Sequence, residues 1–470
     1  MVQRCGRVQK SGRRSAALPD ADLGDRGELL PGDDLGGEAV RADRAVADDG
    51  PRGFRAAGCK SSGESLVFKA SRRVIGATFV SIALLAGSAC SYSAPAPSER
   101  TGPAPAANLS GPPYTYYLIH TSLTTSPFGE APKGAQLAVD EVNSKGGING
   151  RPLQLKTCPV DLDLNRAANC ARQAVADKSV IAANIWLGQP ETVLGIFAKA
   201  GIPVVGDFPI SLAHFSCPVC FPTSSGAFGS LIGAGMLAAT QLKASRISYL
   251  ALDVPAVRGL APVVAQMLQA AGHSTRVART VPVPLTAGDL SAQVTAAGQD
   301  ADAILAALPP EYFPRLVRTI KQLGIRIPVI IVPVDKKQIA QMGPAGDGAY
   351  FAGTFNHDSP GFKRFESSFS ARYPDLAVND IGYAMWLGVH VFQQATKGQA
   401  EVTRKSTLAA LGKLDRVDTE GATPPLSFTT KFTGFGGKIP RLFNNTVVFY
   451  QVRGAAAVQL SGFEKLIPTL

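Results

Sequence analysis

The 470-residue sequence lacks any uninterrupted apolar run of about 20 residues, the length that a helix needs to cross a bilayer. Its longest apolar run, residues 74–89, is shorter, so the composition excludes a multi-pass membrane protein. Only 18% of the residues are charged, which is too few for a disordered polyelectrolyte. Because one domain usually holds about 100–200 residues, we expect two or three folding units.

The sequence is also poor in motifs for catalysis and metal binding. None of its five histidines lies four residues from another, and no HExxH, GxSxG or P-loop pattern is present. The histidines are His120, His214, His273, His357 and His390. These absences predict a protein that is not an enzyme and that holds no metal or other cofactor.

The net charge of +11 is spread thinly along the chain. Basic residues come at most in pairs, such as Lys336 and Lys337, and no basic strand is interleaved with aromatic residues. Nucleic-acid binding requires a clustered basic surface, so we expect no nucleic-acid partner.

The N-terminal part does not have the pattern of a folded domain. Residues 1–66 show no helical or strand period, so we expect them to be untranslated or disordered. In residues 67–89 basic residues precede an apolar stretch and small residues that end at Cys90, an order that resembles a lipoprotein signal peptide and predicts lipidation of that cysteine. The Arg72–Arg73 pair leaves both the general secretory route and the twin-arginine route open. Residues 90–113, rich in Pro, Ala and Ser, are predicted to form a tether.

Beyond Pro113 short apolar runs alternate with amphipathic stretches, which indicates βα units and largely parallel sheets. Residues 114–120 form the first predicted strand. In the next segment Ala135, Ala138 and Val142 recur at helical spacing, and glycines follow the helix end. The predicted fold class is therefore α/β.

Within this α/β region the segment QLAVDEVNSKGGINGRPLQL, at residues 136–155, resembles the branched-chain amino-acid type of ABC-transporter substrate-binding protein. Asp161 near a strand end, AGIPVV at residues 200–205 and GAYF at residues 348–351 continue the resemblance in order. It implies a type I periplasmic binding protein with two Rossmann-like lobes and a three-segment hinge. The expected N-terminal lobe is 114–240 with 347–425, and the expected C-terminal lobe is 241–346 with 426–460.

The resemblance also implies a solute site between the lobes. The charged ends of a free amino acid cannot be buried unpaired without a large cost, so the site must offer hydrogen-bond donors and a carboxylate. Turns after the third and fourth strands of the first lobe, together with an aromatic residue and an acid in the second, are the expected sources. The predicted ligand-binding residues are Gly188, Gln189, Thr192, Asp207, Ser211, Tyr312 and Asp335. Helix capping remains an equal interpretation of Thr192 and Ser211.

Four cysteines follow Cys90 in a chain that is predicted to be exported, so disulfides are expected. We predict the pairs Cys158–Cys170 and Cys217–Cys220. The second pair lies in Cys-Pro-Val-Cys, which also resembles the active dithiol of glutaredoxin-like enzymes. A thiol oxidoreductase is therefore kept as an alternative function.

The predicted function is that of a lipid-anchored solute-binding protein at the outer face of the bacterial cell membrane. Its expected partners are a small-molecule ligand, an amino acid or a related polar metabolite, the membrane through its anchor, and the membrane subunits of an ABC permease. Hinge closure would trap the solute. An extracytoplasmic sensor of the same fold is the alternative within the class of binding proteins.

Overall fold

The computed structural model describes residues 108–123, 129–332 and 334–467, which lie in one compact unit of the chain. They form two separate sheets with helices packed on them. The predictions for residues 1–66, for the signal peptide and for lipidation of Cys90 lie outside the described residues. The same holds for the tether up to residue 107.

The first lobe is built on a five-stranded, wholly parallel sheet in the order β2-β1-β3-β4-β5. Its strands β1 to β5 are Tyr114–Thr121, Leu153–Val160, Val180–Trp186, Val204–Val205 and Cys220–Phe221. Its first helices, α1 to α4, are Glu130–Ser144, Leu164–Ala176, Glu191–Ala200 and Ala213–Ser216. The later segment adds α11 (Pro360–Arg372), α12 (Asp380–Thr396) and α13 (Arg404–Leu411). α1, α11 and α12 share one hydrophobic core on the sheet, whereas α2 and α3 share a different one.

The second lobe is built on a seven-stranded sheet in the order β12-β11-β10-β9-β8-β6-β7. Strands β6 to β10 are Arg246–Leu252, Arg276–Val283, Ala303–Ala307, Val329–Val332 and Tyr350–Gly353, and they pair in parallel. β11 (Thr446–Arg453) and β12 (Ala456–Lys465) add an antiparallel edge. Helices α5 to α10 are Gly226–Thr240, Pro255–Arg258, Leu260–Ala270, Ser291–Gly298, Phe313–Gln322 and Lys336–Met342. Short 3-10 turns lie at Pro310–Tyr312, Gly343–Gly346 and Phe435–Gly437.

Glycines allow α12 to approach its neighbours closely. A Cβ atom built on Gly134 in α1 would lie 2.2 Å from the carbonyl oxygen of Gly382 in α12. Gly206, which follows β4 at a φ of +71°, would place a Cβ 2.1 Å from the Cα of Gly388. α12 therefore packs backbone against backbone on α1 and on the end of β4, a contact that only glycine permits.

The three crossings between the lobes differ from the predicted boundaries at residues 240, 346 and 425. The first crossing follows Phe221, because α5 is apolar on nearly all sides and packs in the core of the second lobe. The second follows Gly353, because β10 belongs to the second sheet. The third comes near Asn444, because Leu426 and Phe428 are buried in the core of the first lobe.

The architecture confirms the predicted α/β fold class with two mostly parallel sheets. Among the helices that the structure describes, none combines the length and the apolar character needed to cross a bilayer.

Candidate ligand-binding cleft

The three crossing segments meet at Asn444, whose side chain is buried. Its Nδ2 donates to the carbonyl oxygen of Thr223 in the first crossing at 3.4 Å, and to that of Thr354 in the second at 3.5 Å. Ser225 Oγ donates to the carbonyl of Thr446 at 3.1 Å and ties the first crossing to the third. The crossings thus form one hydrogen-bonded hinge, as the resemblance implied.

The cleft beside this hinge lies at the carboxyl ends of the parallel strands, where open α/β sheets bind their ligands. In the first lobe β1 and β3 end side by side, and Thr121 Oγ1 donates to the carbonyl of Trp186 at 3.3 Å. Asp335, which follows β9 of the second lobe, lies close enough to Glu130 at the start of α1 for the two charges to interact. The carboxyl ends of the two sheets therefore face each other.

Two lysines at the start of α10 reach across the cleft. Lys336 Nζ forms an ion pair with Glu366 of α11, and Lys337 Nζ donates to the carbonyl of Asp375 at 3.3 Å. A cavity of about 10 Å³ remains beside them, lined by Asp335 and Phe351 from the second lobe and by His357 and other side chains of the first. Such a space holds about one water molecule, so the lobes are closed together in this region.

Asp335 faces this cavity and also begins α10. Its side chain accepts from the main-chain N–H of Gln338 at 2.8 Å, and the Gln338 side chain accepts from the Asp335 N–H at 3.0 Å. This is a capping box. Burial raises the pKa of the Asp335 carboxyl above its ordinary value, and the negative charge of Glu130 adds to the rise, while the Gln338 hydrogen bonds oppose it. A cation placed in the cavity would relieve this cost.

His357 lines this cavity and contacts both lobes. Its ring stacks on Phe362 of the first lobe and on Tyr450 of the second, with centroids 4.3 and 5.0 Å away. Its Nε2 lies 2.6 Å from Asp380 Oδ1, and its main-chain N–H donates to the Tyr450 hydroxyl. Burial alone would raise the pKa of Asp380, but the charge and hydrogen bond of His357 and the hydrogen bonds of Thr354 lower it overall.

The predicted first-lobe turns lie at the strand ends as expected. Gly188 and Gln189 are exposed after β3, and Thr192 is exposed in the first turn of α3. Ser211, after β4, donates its hydroxyl to Glu191 Oε1 at 3.1 Å, so the two turns are in contact. Thr192 and Ser211 make no helix-capping hydrogen bond in the structure described. Their role in solute binding stays a prediction.

Asp207 lies in the same region, but its side chain is fully buried. Its Oδ2 is hydrogen-bonded to Nδ1 of His214, which is also fully buried, and Arg441 is close enough to interact with it electrostatically. Burial lowers the pKa of Arg441 to about 10, and the charge of Asp207 opposes that shift. The Asp207 carboxylate therefore points into the lobe and not toward a solute in the cleft, unlike the predicted arrangement.

Tyr312 likewise belongs to a core. Its ring is packed among the buried side chains of the second lobe, and its hydroxyl donates to the carbonyl of Leu285 at 2.8 Å. The Arg315 guanidinium lies 4.8 Å from the ring centroid. Because its polar atom already has a protein partner, the structure gives Tyr312 a packing role that the sequence did not indicate.

Both predicted disulfide pairs are present. The Cα atoms of Cys158 and Cys170 are 6.1 Å apart, and those of Cys217 and Cys220 are 5.4 Å apart. Cys217 and Cys220 are 5% and 0% exposed. An attacking thiolate must reach a sulfur atom, so this burial does not favour redox exchange with another protein. Within the described residues no three His, Cys, Asp or Glu side chains gather as metal ligands.

The sequence profile of the family described as periplasmic binding protein matches residues 121–453. The chain belongs to this family. The match spans both lobes and all three crossings, so it covers the cleft described above. A search of curated protein sequences finds no match.

Solved structures share the fold of this binding protein. An ABC transporter substrate-binding protein from Sphaerobacter thermophilus is 19% identical with a TM-score of 0.61, and the match covers 76% of this chain and 100% of that one. A fatty acid ABC transporter substrate-binding protein from Thermomonospora curvata is 19% identical with a TM-score of 0.61, covering 75% and 92%. Streptococcus pneumoniae LivJ, a branched-chain amino acid transporter substrate-binding protein solved in complex with isoleucine, is 17% identical with a TM-score of 0.57, covering 75% and 99%. These similarities confirm the type I periplasmic binding fold.

Sequence reasoning did not find the residues that hold the hinge and the buried charges. Asn444 and Arg441 come late in an irregular segment, far in sequence from the residues that they contact. His214 gave a weak signal, because it lies in an otherwise apolar stretch only seven residues from Asp207. A buried histidine in such a stretch needs a polar partner, and the nearest acid in the chain supplies it.

Proposed function

We propose that this binding protein receives an amino acid or a related small polar solute outside the cytoplasm and delivers it to an ABC permease. The observation that carries the proposal is the buried Asp335 carboxylate, which faces a space enclosed by both lobes. A carboxylate in that position favours a ligand with an ammonium group. Anchoring to the membrane through lipid on Cys90 is part of the proposal.

Donors for the opposite end of the solute are available in the first lobe. The exposed turn at Gly188 and Gln189 leads into α3, whose first main-chain N–H groups have no partner within the helix. These groups would hold the ligand carboxylate, while Asp335 would hold its ammonium. The exposed Glu191 lies in the same first turn. Its carboxylate accepts a hydrogen bond from the Ser211 hydroxyl, so the negative charge of Glu191 already has a partner there.

The hinge supplies the mechanical part of the proposal. Asn444 ties the three crossings together, so the lobes are expected to move as two bodies about that point. The Lys336–Glu366 pair spans the cleft and favours the closed arrangement. A permease that contacts both lobes would then distinguish the loaded, closed protein from the open one.

A thermal-shift screen of the purified chain tests the ligand class. The library would contain the common amino acids, their amides and, because one structural relative is a fatty acid transporter protein, a series of fatty acids. A ligand present at about 100 times its dissociation constant stabilises the folded state by about 2.7 kcal/mol, which gives a clear rise in Tm. Stabilisation by fatty acids alone, or by nothing in the library, would contradict the proposal.

The Asp335→Asn variant tests the placement of the ammonium. Asn keeps the helix cap but removes the charge, so we expect the affinity for the identified solute to fall about tenfold or more. Asp300→Asn, an exposed change in the same lobe, is the matched control and should bind normally. Equal affinity in both variants would remove Asp335 from the site.

The anchor is tested in cells that export the chain. We expect the exported protein to carry acyl groups on Cys90 and the Cys90→Ser variant to carry none, which the intact mass of the detergent-extracted proteins measures. An unacylated Cys90 would refute lipid anchoring while leaving the solute-binding proposal intact.

A further inference from the structure

A second cavity lies in the first lobe, outside the cleft. It measures about 200 Å³, and it is lined by Lys145 after α1, by residues of α11 and α12 and by the loop 418–420, all in the first lobe. We call it the α12 pocket. One of its residues, Lys145, directly follows α1, so it lies about 22 Å along that helix from the cleft end at Glu130. The α12 pocket is therefore separate from the site proposed above.

The walls of the α12 pocket carry opposite charges. Lys145 contributes an ammonium at the end of α1, and Asp418 and Glu420 contribute carboxylates from the loop. Gly361 lets this loop come close to α11, because a Cβ there would lie 2.6 Å from the carbonyl oxygen of Thr419. The pocket thus has an acidic wall and a basic group within one small space.

Ion pairs and aromatic contacts hold the charged groups between these walls. Arg364 Nε donates to Glu420 at 3.1 Å, and the guanidinium lies 4.7 Å from the ring centroid of Trp386. His390 Nε2 lies 3.0 Å from Glu141 Oε2, and Arg364 is 3.7 Å from the same oxygen. Burial alone would raise the pKa of Glu141, but its contacts with His390, Trp386 and Arg364 lower it overall. These groups are fixed before any ligand arrives.

Other polar groups of the pocket remain available. Among the described residues, neither the Lys145 ammonium nor the Gln393 side-chain amide has a hydrogen-bond partner. Asp418 accepts one hydrogen bond at its Oδ1, from the main-chain N–H of Glu420 at 2.9 Å. An anionic group would therefore find donors at Lys145 and Gln393, and a cationic group would find an acceptor at the Asp418 carboxylate.

We propose that the α12 pocket is a second binding site of this protein, for a small zwitterion of amino-acid size. The volume is enough for a molecule of that size, and both its charges would be paired. Lys145 and Gln393 would take the carboxylate, and Asp418 would take the ammonium. The buried side chain of Trp386 is part of the lining.

The chain has two tryptophans, so replacing one leaves a fluorescence signal that comes from the other alone. In a Trp186→Phe variant, Trp386 is the remaining tryptophan, and its emission reports on the α12 pocket. L-Alanine is the probe, with alaninamide and N-acetyl-L-alanine as analogues that each carry one charge. We expect a saturable change of Trp386 emission with L-alanine below about 10 mM, and at least about tenfold weaker responses to both analogues.

Exposed residues supply the variants for this experiment. In the Trp186→Phe background, Lys145→Ala and Asp418→Asn should each raise the L-alanine midpoint at least about fivefold. The matched controls Lys178→Ala and Asp161→Asn, exposed in the same lobe, should leave it unchanged. Asp335→Asn should also leave it unchanged, which separates this site from the cleft.

The proposal would be overturned by an unsaturable Trp386 response, or by an equal response in a Lys145→Ala/Asp418→Asn double variant. If Trp186→Phe does not fold, calorimetry with the unsubstituted chain decides the same question. L-Alanine should then bind at a site that is lost in the double variant and retained in Asp335→Asn. Loss of that binding in Asp335→Asn alone would assign it to the cleft and refute a second site.

Discussion

At the scale of the residue, the buried charges of the first lobe define its interior. Asp207 and His214 are wholly buried and paired, and Arg441 approaches them from the segment before the third crossing. Arg441 Nε also donates to the carbonyl of Cys220, and its guanidinium lies 4.3 Å from the ring centroid of Phe221. Arg441 therefore links the loop closed by the Cys217–Cys220 disulfide to the segment that leads into the hinge.

Removing the acid of this cluster should be costly. Asp207→Ala leaves the buried His214 without its hydrogen-bond partner and the partly buried Arg441 without its nearby counter-charge. Leaving such groups unpaired costs about 1–3 kcal/mol or more. Urea denaturation measures the difference in the free energy of unfolding. Glu311→Ala, at an exposed side chain, is the control and should change it by less than about 0.5 kcal/mol. A small effect of Asp207→Ala would mean that the pair is not held in the folded protein.

Asp335 predicts a pH dependence with a definite sign. Its pKa is raised from 3.8 in the folded protein, so ionisation costs stability as the pH rises above 3.8, and below that value the cost is absent. Asp335→Asn should therefore unfold at a higher urea concentration than the unsubstituted chain at pH 7, with the difference vanishing near pH 3. A difference that does not depend on pH would show that the carboxylate is not desolvated.

At the scale of the element, close packing between α1 and α12 decides which glycines can be changed. Gly134→Ala would force a methyl group to within 2.2 Å of the Gly382 carbonyl oxygen, so the helices must separate. We expect a loss of about 1–3 kcal/mol or more in the free energy of unfolding.

The matched control for this change is Gly195→Ala in α3. A Cβ at Gly195 meets no heavy atom within 4 Å, and alanine is the better helix former. That variant should be more stable by about 0.5–1 kcal/mol. The two variants can be compared in a single thermal-unfolding experiment, and an equal change in both would refute the packing argument.

Elements with a clear period were predictable from the sequence. The spacing of Ala135, Ala138 and Val142 predicted a helix there, which is α1. The first crossing was predicted at residue 240 and lies after Phe221, because α5 is apolar on nearly all sides. Such a helix has no single apolar stripe that indicates which sheet it covers. Its assignment depends on tertiary packing, which local periodicity does not encode.

The candidate site was predictable only in part, for a similar reason. Turns after parallel strands must lie at one sheet edge, and Gly188 and Gln189 do follow β3 while Asp335 follows β9. Their part in solute binding stays a prediction. Whether a polar side chain near that edge points outward depends on the partners that the folded chain brings to it. Tyr312 turns to the Leu285 carbonyl, a contact that leaves no local pattern, and Asp207 turns to His214, for which the sequence gives only a weak signal.

At the scale of the whole molecule, the lysines of α10 should influence the balance between open and closed forms. A Lys336→Ala/Lys337→Ala double variant loses both contacts to the first lobe. We expect a larger radius of gyration without ligand in small-angle scattering. The solute affinity should be about two- to fivefold weaker, because partly exposed ion pairs contribute modestly.

Lys363→Ala provides the control for this experiment. Lys363 pairs with Asp358 at 3.1 Å within the first lobe, with both side chains 58% exposed, so its loss should not affect closure. An unchanged radius in the double lysine variant would show that α10 does not hold the lobes together.

The late return of the chain to the first lobe also constrains how the protein can be made. α12 and the segment around Phe428 complete the wall against which α1 packs, so an N-terminal piece that ends before them would expose a broad apolar surface. During synthesis the first lobe cannot complete its hydrophobic core until nearly the whole polypeptide has emerged. Domains of continuous sequence, in contrast, fold one after another. This delay keeps the newly synthesised chain unfolded and able to cross a membrane, which suits a protein whose family works on the far side of one.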